Sequence, residues 1–274
     1  MDLTTAADRI EGWIAGGTRS YVCHANVHGV MEAQRDPQVR AVYNRAGLTV
    51  ADGMPLVWLG RQAGHAGTGR VYGPDLMLEL CARAARSGAS CFYCGGAPGV
   101  ADELAAAMQA RFPGLRTAGT YSPAFELDAR RVDADAVRAI NAARPDIVWV
   151  GLGCPRQELW MATHRGALTA GALIGVGAAF DFHTGRKRQA PRFMMRMGLE
   201  WLFRLLVEPA RLWHRYLVYN PWFVLSLAAD RMGLRRAQPD VDVPGLDAPD
   251  SASHATTSDA TASANTDGIQ PGGR

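Results

Sequence analysis

The stretch Asp146-Ile147-Val148-Trp149-Val150-Gly151-Leu152-Gly153-Cys154-Pro155-Arg156-Gln157-Glu158 runs from a short apolar segment, through a glycine turn, into a proline-led segment of helical period. A brief apolar run closed by glycines reads as a strand buried on both faces. Proline suits the start of the helix that follows, because the first N–H groups of a helix are unpaired in any case. The same passage recurs on both sides. Segments 21–25, 48–51, 90–94, 116–120, 146–150 and 172–176 read as buried strands, and 30–45, 55–62, 74–86, 100–111, 132–143 and 156–168 as helices between them. Such alternation predicts an α/β fold, a mostly parallel Rossmann-like sheet with helices on both faces.

Several of these strands end in glycine turns: Asp52-Gly53, Gly95-Gly96-Ala97-Pro98-Gly99, Gly151-Leu152-Gly153 and Gly175-Val176-Gly177. In an open parallel sheet the strand C-termini line the ligand crevice. Glycine lets the backbone approach a phosphate there, and a following helix N-terminus favours the anion. One such turn is only a turn; four together point to a nucleotide-type ligand. None fits GxGxxG with an acidic ribose partner about 20 residues on, nor GxxxxGK[ST], which argues against dehydrogenase and P-loop readings.

The alternation stops near residue 186. With 48% hydrophobic and 20% charged residues the chain is ordinary for a folded protein, but its net charge of +3 is unevenly spread. Residues 186–236 hold eleven Lys/Arg against three acidic residues, roughly +8, while 237–274 holds six Asp and one Arg. Segments 193–207 and 209–227 read as amphipathic helices broken at Glu208-Pro209. The division expected is an α/β catalytic domain (1–185), a basic amphipathic helical appendage (186–236) and a disordered acidic tail (237–274), whose composition cannot bury a core. The N-terminus lacks the basic and apolar regions of a signal peptide. The longest uncharged apolar stretch, 216–229, is shorter than the ~20 residues a spanning helix needs and contains Pro221. The basic segment therefore reads as lying on a membrane, with its aromatic residues interleaved among arginines. It carries no nucleic-acid recognition motif. The five cysteines, odd in number and irregular in spacing, fit a reducing compartment. Cys91 and Cys94 read as buried strand residues, because no second Cys/His pair completes a zinc site.

Ordered motifs then narrow the function. Ala25-Asn26-Val27-His28, Ala51-Asp52-Gly53-Met54-Pro55-Leu56-Val57, Gly73-Pro74-Asp75-Leu76, Phe92-Tyr93-Cys94-Gly95-Gly96, Val150 to Glu158 and Gly175-Val176-Gly177-Ala178-Ala179-Phe180-Asp181-Phe182 follow one another, ahead of Gly198-Leu199-Glu200-Trp201 and Glu208-Pro209-Ala210-Arg211. Over roughly residues 20–221 this series resembles the WecG/TagA/CpsF glycosyltransferases (glycosyltransferase family 26). The resemblance implies inverting transfer of a sugar, N-acetylmannosamine or a related hexose, from a UDP donor to a polyprenyl-diphosphate-linked acceptor in bacterial surface-polymer synthesis. It implies no metal and no cofactor, a place on the inner face of the cytoplasmic membrane, and self-association.

Carried over residue by residue, the resemblance makes Asp52 the base that accepts the acceptor hydroxyl proton. Alone, an Asp-Gly at a strand end fits an Asx turn or N-cap equally well. Asn26, Gly53, Gly95, Gly96, Gln157, Glu158 and Asp181 become substrate-binding candidates, with Glu158 also open to capping its helix. Arg70 matches a family arginine suited to a diphosphate. Arg204, Arg211 and Arg215, spaced seven and four apart, become the residues that meet the lipid diphosphate, on one face if the helix continues past Pro209. Two departures stand out. His24 replaces a common Thr and adds a second candidate proton acceptor. Gln189 replaces an arginine before Ala190-Pro191, leaving open whether Arg188 substitutes. These departures also keep open a nucleotide-binding scaffold with a degenerate site.

Overall fold

The computed structural model describes residues 1–124 and 128–234, and the tail expected at 237–274 lies outside them. Six strands, β1 (Ser20–Ala25), β2 (Leu48–Ala51), β3 (Ser90–Gly95), β4 (Arg116–Tyr121), β5 (Ile147–Gly151) and β6 (Ala172–Gly175), form one sheet in the order β2-β1-β6-β5-β3-β4. Every pairing is parallel, so each strand end of the same sense falls on one edge. The sequence expectation of a parallel α/β sheet is met, with strand bounds shifted by a residue at most.

Along the chain the helices are α1 (Leu3–Gly16), α2 (Val27–Arg35), α3 (Pro37–Arg45), α4 (Met54–Gln62), α5 (Gly73–Ser87), α6 (Val100–Arg111), α7 (Ala134–Ala143), α8 (Arg156–Arg165) and α9 (Ala179–His183). Four more follow: α10 (Arg192–Arg196), α11 (Glu200–Val207), α12 (Pro209–Leu217) and α13 (Tyr219–Arg231). Strand residues alternate between two cores. Val22, Tyr93, Trp149 and Ile174 face α1, α5, α6 and α9, whereas Cys23, Phe92, Val148 and Leu173 face α3, α7 and α8. Cys91 and Cys94, three residues apart, fall one into each core as free thiols, as the sequence implied.

Three expected helices are corrected. The span 30–45 is two helices, because Asp36 precedes Pro37 and is held extended at φ −118°, ψ 110°. Its carboxylate caps the second helix by accepting from the Gln38 N–H at 2.8 Å. The span 193–207 breaks at Gly198, which adopts φ +74° beneath Trp58; an added Cβ would come within 2.8 Å of that ring. The span 209–227 breaks at Val218, while Pro221 sits in the first turn of α13, where it forfeits no helical bond. The sequence reading missed α1, capped by Asp2 and buried through Ala6, Ala7, Ile10 and Trp13.

The C-terminal helices fold back onto the sheet's ligand edge. In α13, Tyr219 and Phe223 join Met31 of α2 in a third apolar cluster, with Leu56 and Leu59 of α4 against it. Tyr219 Oη donates to Glu32 at 2.6 Å and accepts from Arg35, pinning α13 to α2.

Candidate active site

Asp52 follows β2 directly, and its N–H donates to Ala25 O at 2.8 Å, which fastens the turn to the end of β1. On the far side of Ala25, Asn26 caps α2: its Oδ1 accepts from the Gly29 N–H at 3.1 Å. That orientation leaves the Asn26 amide to donate to the Asp52 carboxylate, which also accepts the Gly73 N–H at the start of α5. Asp52 Oδ1 has no hydrogen-bond partner. Burial raises the proton affinity of Asp52, and Arg70, the Gly73 N–H, Asn26 and Arg204 pull it back only in part. The product is a half-buried carboxyl with one oxygen free of hydrogen bonds and a proton affinity raised by burial, properties that suit a general base.

Arg70 lies beside it, Nη2 to Asp52 Oδ1 at 3.9 Å, and its Nε donates to the Asp52 backbone carbonyl. The guanidinium stacks on the Tyr72 ring at 4.2 Å and meets Glu200 of α11 at 2.5 Å. Neither Tyr72 nor Glu200 was singled out from sequence.

A polar cavity of about 370 Å³ opens over the ends of β1, β2, β5 and β6, lined by His24, Asn26, Asp52, Gln157 and Asp181. His24 is buried and its Nδ1 donates to Gly175 O at 2.9 Å, so the imidazole is the Nδ1–H tautomer and Nε2 is a bare acceptor without a partner. Burial holds its pKa down to about 4. Gln157 is fixed at both ends, Oε1 accepting from Gly153 N–H at 3.2 Å and Nε2 donating to Glu158 at 2.9 Å. Glu158 is fully buried and outside the cavity lining, its carboxylate accepts from Gln157 Nε2, and burial pushes its pKa up to about 7. Asp181 pairs with Lys187 Nζ at 2.8 Å. Lys187, another residue the sequence reading passed over, lines the cavity, whereas Arg188 and Gln189 are exposed and outside it.

Gly95 and Gly96 do not line this cavity. Their role is close packing: at Gly95, φ +131°, a Cβ would lie 2.7 Å from the Gly151 carbonyl carbon. Gly53 caps α4 and lines a second cavity of about 510 Å³, adjoining the first. This one is mainly apolar, walled by Val27, Met54, Trp58 and Leu59 on one side and Trp201, Phe223 and Leu227 on the other. Asn26, Asp52, Glu200, Arg204 and Arg215 line both cavities and so mark their junction. The helix does not continue past Pro209; the arginines converge because α11 and α12 fold around the site. Arg211 reaches the polar cavity but is paired with Glu208. Arg204 and Arg215 make no ion pair among the described residues, and Arg215 Nε is buried without a partner. Two guanidiniums without a direct ion pair thus stand where a polar chamber meets an apolar one. Among the described residues no cluster of three His, Cys, Asp or Glu side chains is placed to hold a metal.

Comparison with known proteins identifies the family. Residues 1–237 match the Glycosyl transferase WecG/TagA/CpsF family. Over 212 residues, 77% of this chain and 80% of the relative, the sequence is 34% identical to the N-acetylglucosaminyldiphosphoundecaprenol N-acetyl-beta-D-mannosaminyltransferase of Bacillus spizizenii. The match takes in α1, which the motifs from residue 20 onward had left out. The chain is a glycosyltransferase and belongs to the WecG/TagA/CpsF family.

Proposed function

We propose that the protein transfers N-acetylmannosamine or a related hexose, with inversion, from a UDP donor to a sugar carried on a polyprenyl diphosphate. The observation that carries this reading is the pair Arg204 and Arg215, without an ion pair at the junction of a polar and an apolar cavity that Asp52 also lines. A lipid diphosphate has the matching chemistry: a dianionic head for the guanidiniums and a hydrocarbon chain for the apolar walls. The polar cavity is the place for the UDP-sugar, because it opens over the strand ends and is lined by the glycine turns after β5 and β6 and by polar side chains.

In this reaction the acceptor hydroxyl oxygen attacks the anomeric carbon while its proton passes to the Asp52 carboxylate. The bond from that carbon to the UDP oxygen breaks, and its electron pair leaves with the diphosphate. Attack opposite the leaving group inverts the anomeric centre. Cations near the diphosphate stabilise the charge that develops there. The relative's printed name supports an N-acetylglucosaminyl-diphospho-polyprenol as the acceptor.

No helix among the described residues is long and apolar enough to cross a membrane. Exposed Leu206, Trp213, Leu217, Val224 and Leu225 on α11 to α13, set among arginines, support docking of these helices on the bilayer that holds the acceptor. The decisive experiment incubates the protein with a panel of UDP-sugars and a short-chain lipid-diphosphate acceptor and follows UDP release. Release with one donor, dependent on the acceptor and absent in Asp52→Asn, is the expected result. A folded, UDP-binding protein that releases nothing with any donor overturns the proposal.

A further inference from the structure

Glu200 opens α11, yet both its carboxylate oxygens are engaged by the loop that leads into α5. Oε2 accepts from Arg70 Nη2 at 2.5 Å and Oε1 from Tyr72 Oη at 3.3 Å. Arg70 is held on three sides: its Nε donates to the Asp52 carbonyl, its Nη2 to Glu200, and its face lies on the Tyr72 ring. The Nε–Nη2 edge is one of the two with which a guanidinium grips an oxyanion in a fork. Here that edge is spent on the protein itself, so Arg70 acts as a brace for the Asp52 turn. The guanidiniums that line both cavities without an ion pair are Arg204 and Arg215.

We propose that Glu200 is a positioning residue for sugar transfer, which α11 carries to the site to lock Arg70 against the Asp52 turn. The inference rests on Asp52 acting as the base. Glu200 and Arg204 stand four residues apart on one helix and therefore share a face. Docking of α11 sets both at once: the carboxylate locks the brace, and the arginine arrives at the cavity junction. Base and diphosphate site are thereby assembled by the same helix.

The charged and titratable groups facing Asp52 are Arg70 and Tyr72 from the α5 approach and Glu200 and Arg204 from α11; Asn26 faces it from the end of β1. Removing the Glu200 charge leaves Arg70 un-neutralised beside Asp52. A cation there favours the carboxylate over the acid and weakens the base. In Glu200→Gln, a near-isosteric change, kcat for transfer should fall about tenfold with the donor KM within about twofold, because only the chemical step is touched. The acid limb of kcat/KM should move to lower pH. In Arg70→Met, which removes the cation, that limb should move to higher pH. Glu200→Asp should recover part of the lost kcat. UDP binding and melting temperature of Glu200→Gln should match the unaltered protein.

A Glu200→Gln protein with unchanged kcat and an unmoved acid limb overturns the inference. So does a loss of kcat that tracks a fall in melting temperature with the limb unmoved, since that marks a purely structural contact. An unaltered protein that transfers nothing overturns the proposed reaction itself, a result recognisable because it precedes any substitution.

Discussion

Asp52 combines two opposing influences, burial that favours its acid form and the Arg70, Asn26 and Gly73 contacts that favour the carboxylate, and burial wins. A base must be deprotonated to work, so transfer should rise with pH along an acid limb that burial of Asp52 shifts upward. Asp52→Asn keeps the shape and removes the proton acceptor. Its kcat should drop by about 10²- to 10⁴-fold with UDP affinity retained, read by UDP release and by titration calorimetry. Two other buried groups govern stability with opposite signs. His24 falls from 6.5 to about 4 on folding, so its contribution is intact above pH 6.5 and is lost as pH falls toward 4. Glu158 rises from 4.5 to about 7, so its contribution is complete below pH 4.5 and is lost as pH rises toward 7. Between pH 4.5 and 6.5 the two slopes largely cancel. Glu158→Gln removes one of them, and its stability should fall more steeply on acidification than that of the unaltered protein, by up to about 1.4 kcal/mol per pH unit. Urea midpoints at several pH values check this; parallel slopes would refute it. Asp52, Asn26 and Gln157 were placed at the site by the family motifs, and each sits within a few residues of a strand end. Glu200 and Lys187 were not: the Arg70–Glu200 contact joins positions 130 apart, and no local pattern records such a pairing.

At the scale of elements, the periodicity that marked the strands succeeded because a strand buried on both faces must be apolar throughout. Helix limits were less legible. Asp36-Pro37 breaks a run that still has helical period on both sides, and Gly198 breaks another because Trp58, far away in sequence, occupies the space a side chain would need. The glycines after β3 have a packing function of their own. Gly95 lies outside the cavity, and what its backbone approaches is β5. Gly95→Ala should therefore cost about 3 kcal/mol or more, since the new Cβ meets backbone at 2.7 Å and the φ of +131° is strained as well. Gly99→Ala, at φ +84° with nothing within 4 Å, should cost only the backbone term of about 1 kcal/mol. Chemical denaturation of the two variants separates close packing from turn strain. Equal losses would show that packing against β5 contributes nothing at Gly95.

For the whole molecule, the segregation of charge has a structural counterpart. Residues 186–234 carry nine Lys/Arg against three acidic residues, and they form the helices that close over the catalytic edge of the sheet. The same helices leave large apolar side chains in solvent, Leu206 at 72% and Leu225 at 68% exposure. Inward they present Arg204 and Arg215 to the cavities; outward they present apolar and basic residues together, the mixture an anionic bilayer attracts. Each basic residue near such a surface contributes about 1 kcal/mol that salt screens, whereas apolar insertion is insensitive to salt. Raising salt should therefore weaken, without abolishing, co-sedimentation with anionic phospholipid vesicles. Leu206→Glu combined with Leu225→Glu should bring the remainder close to zero at high salt, because neither side chain lines a cavity or joins the core. Transfer to a water-soluble short-chain acceptor should survive in that double variant, while transfer to a full-length polyprenyl acceptor in vesicles should fall with the loss of binding. Undiminished sedimentation at high salt would mean that these helices meet the bilayer through another face, or through charge alone.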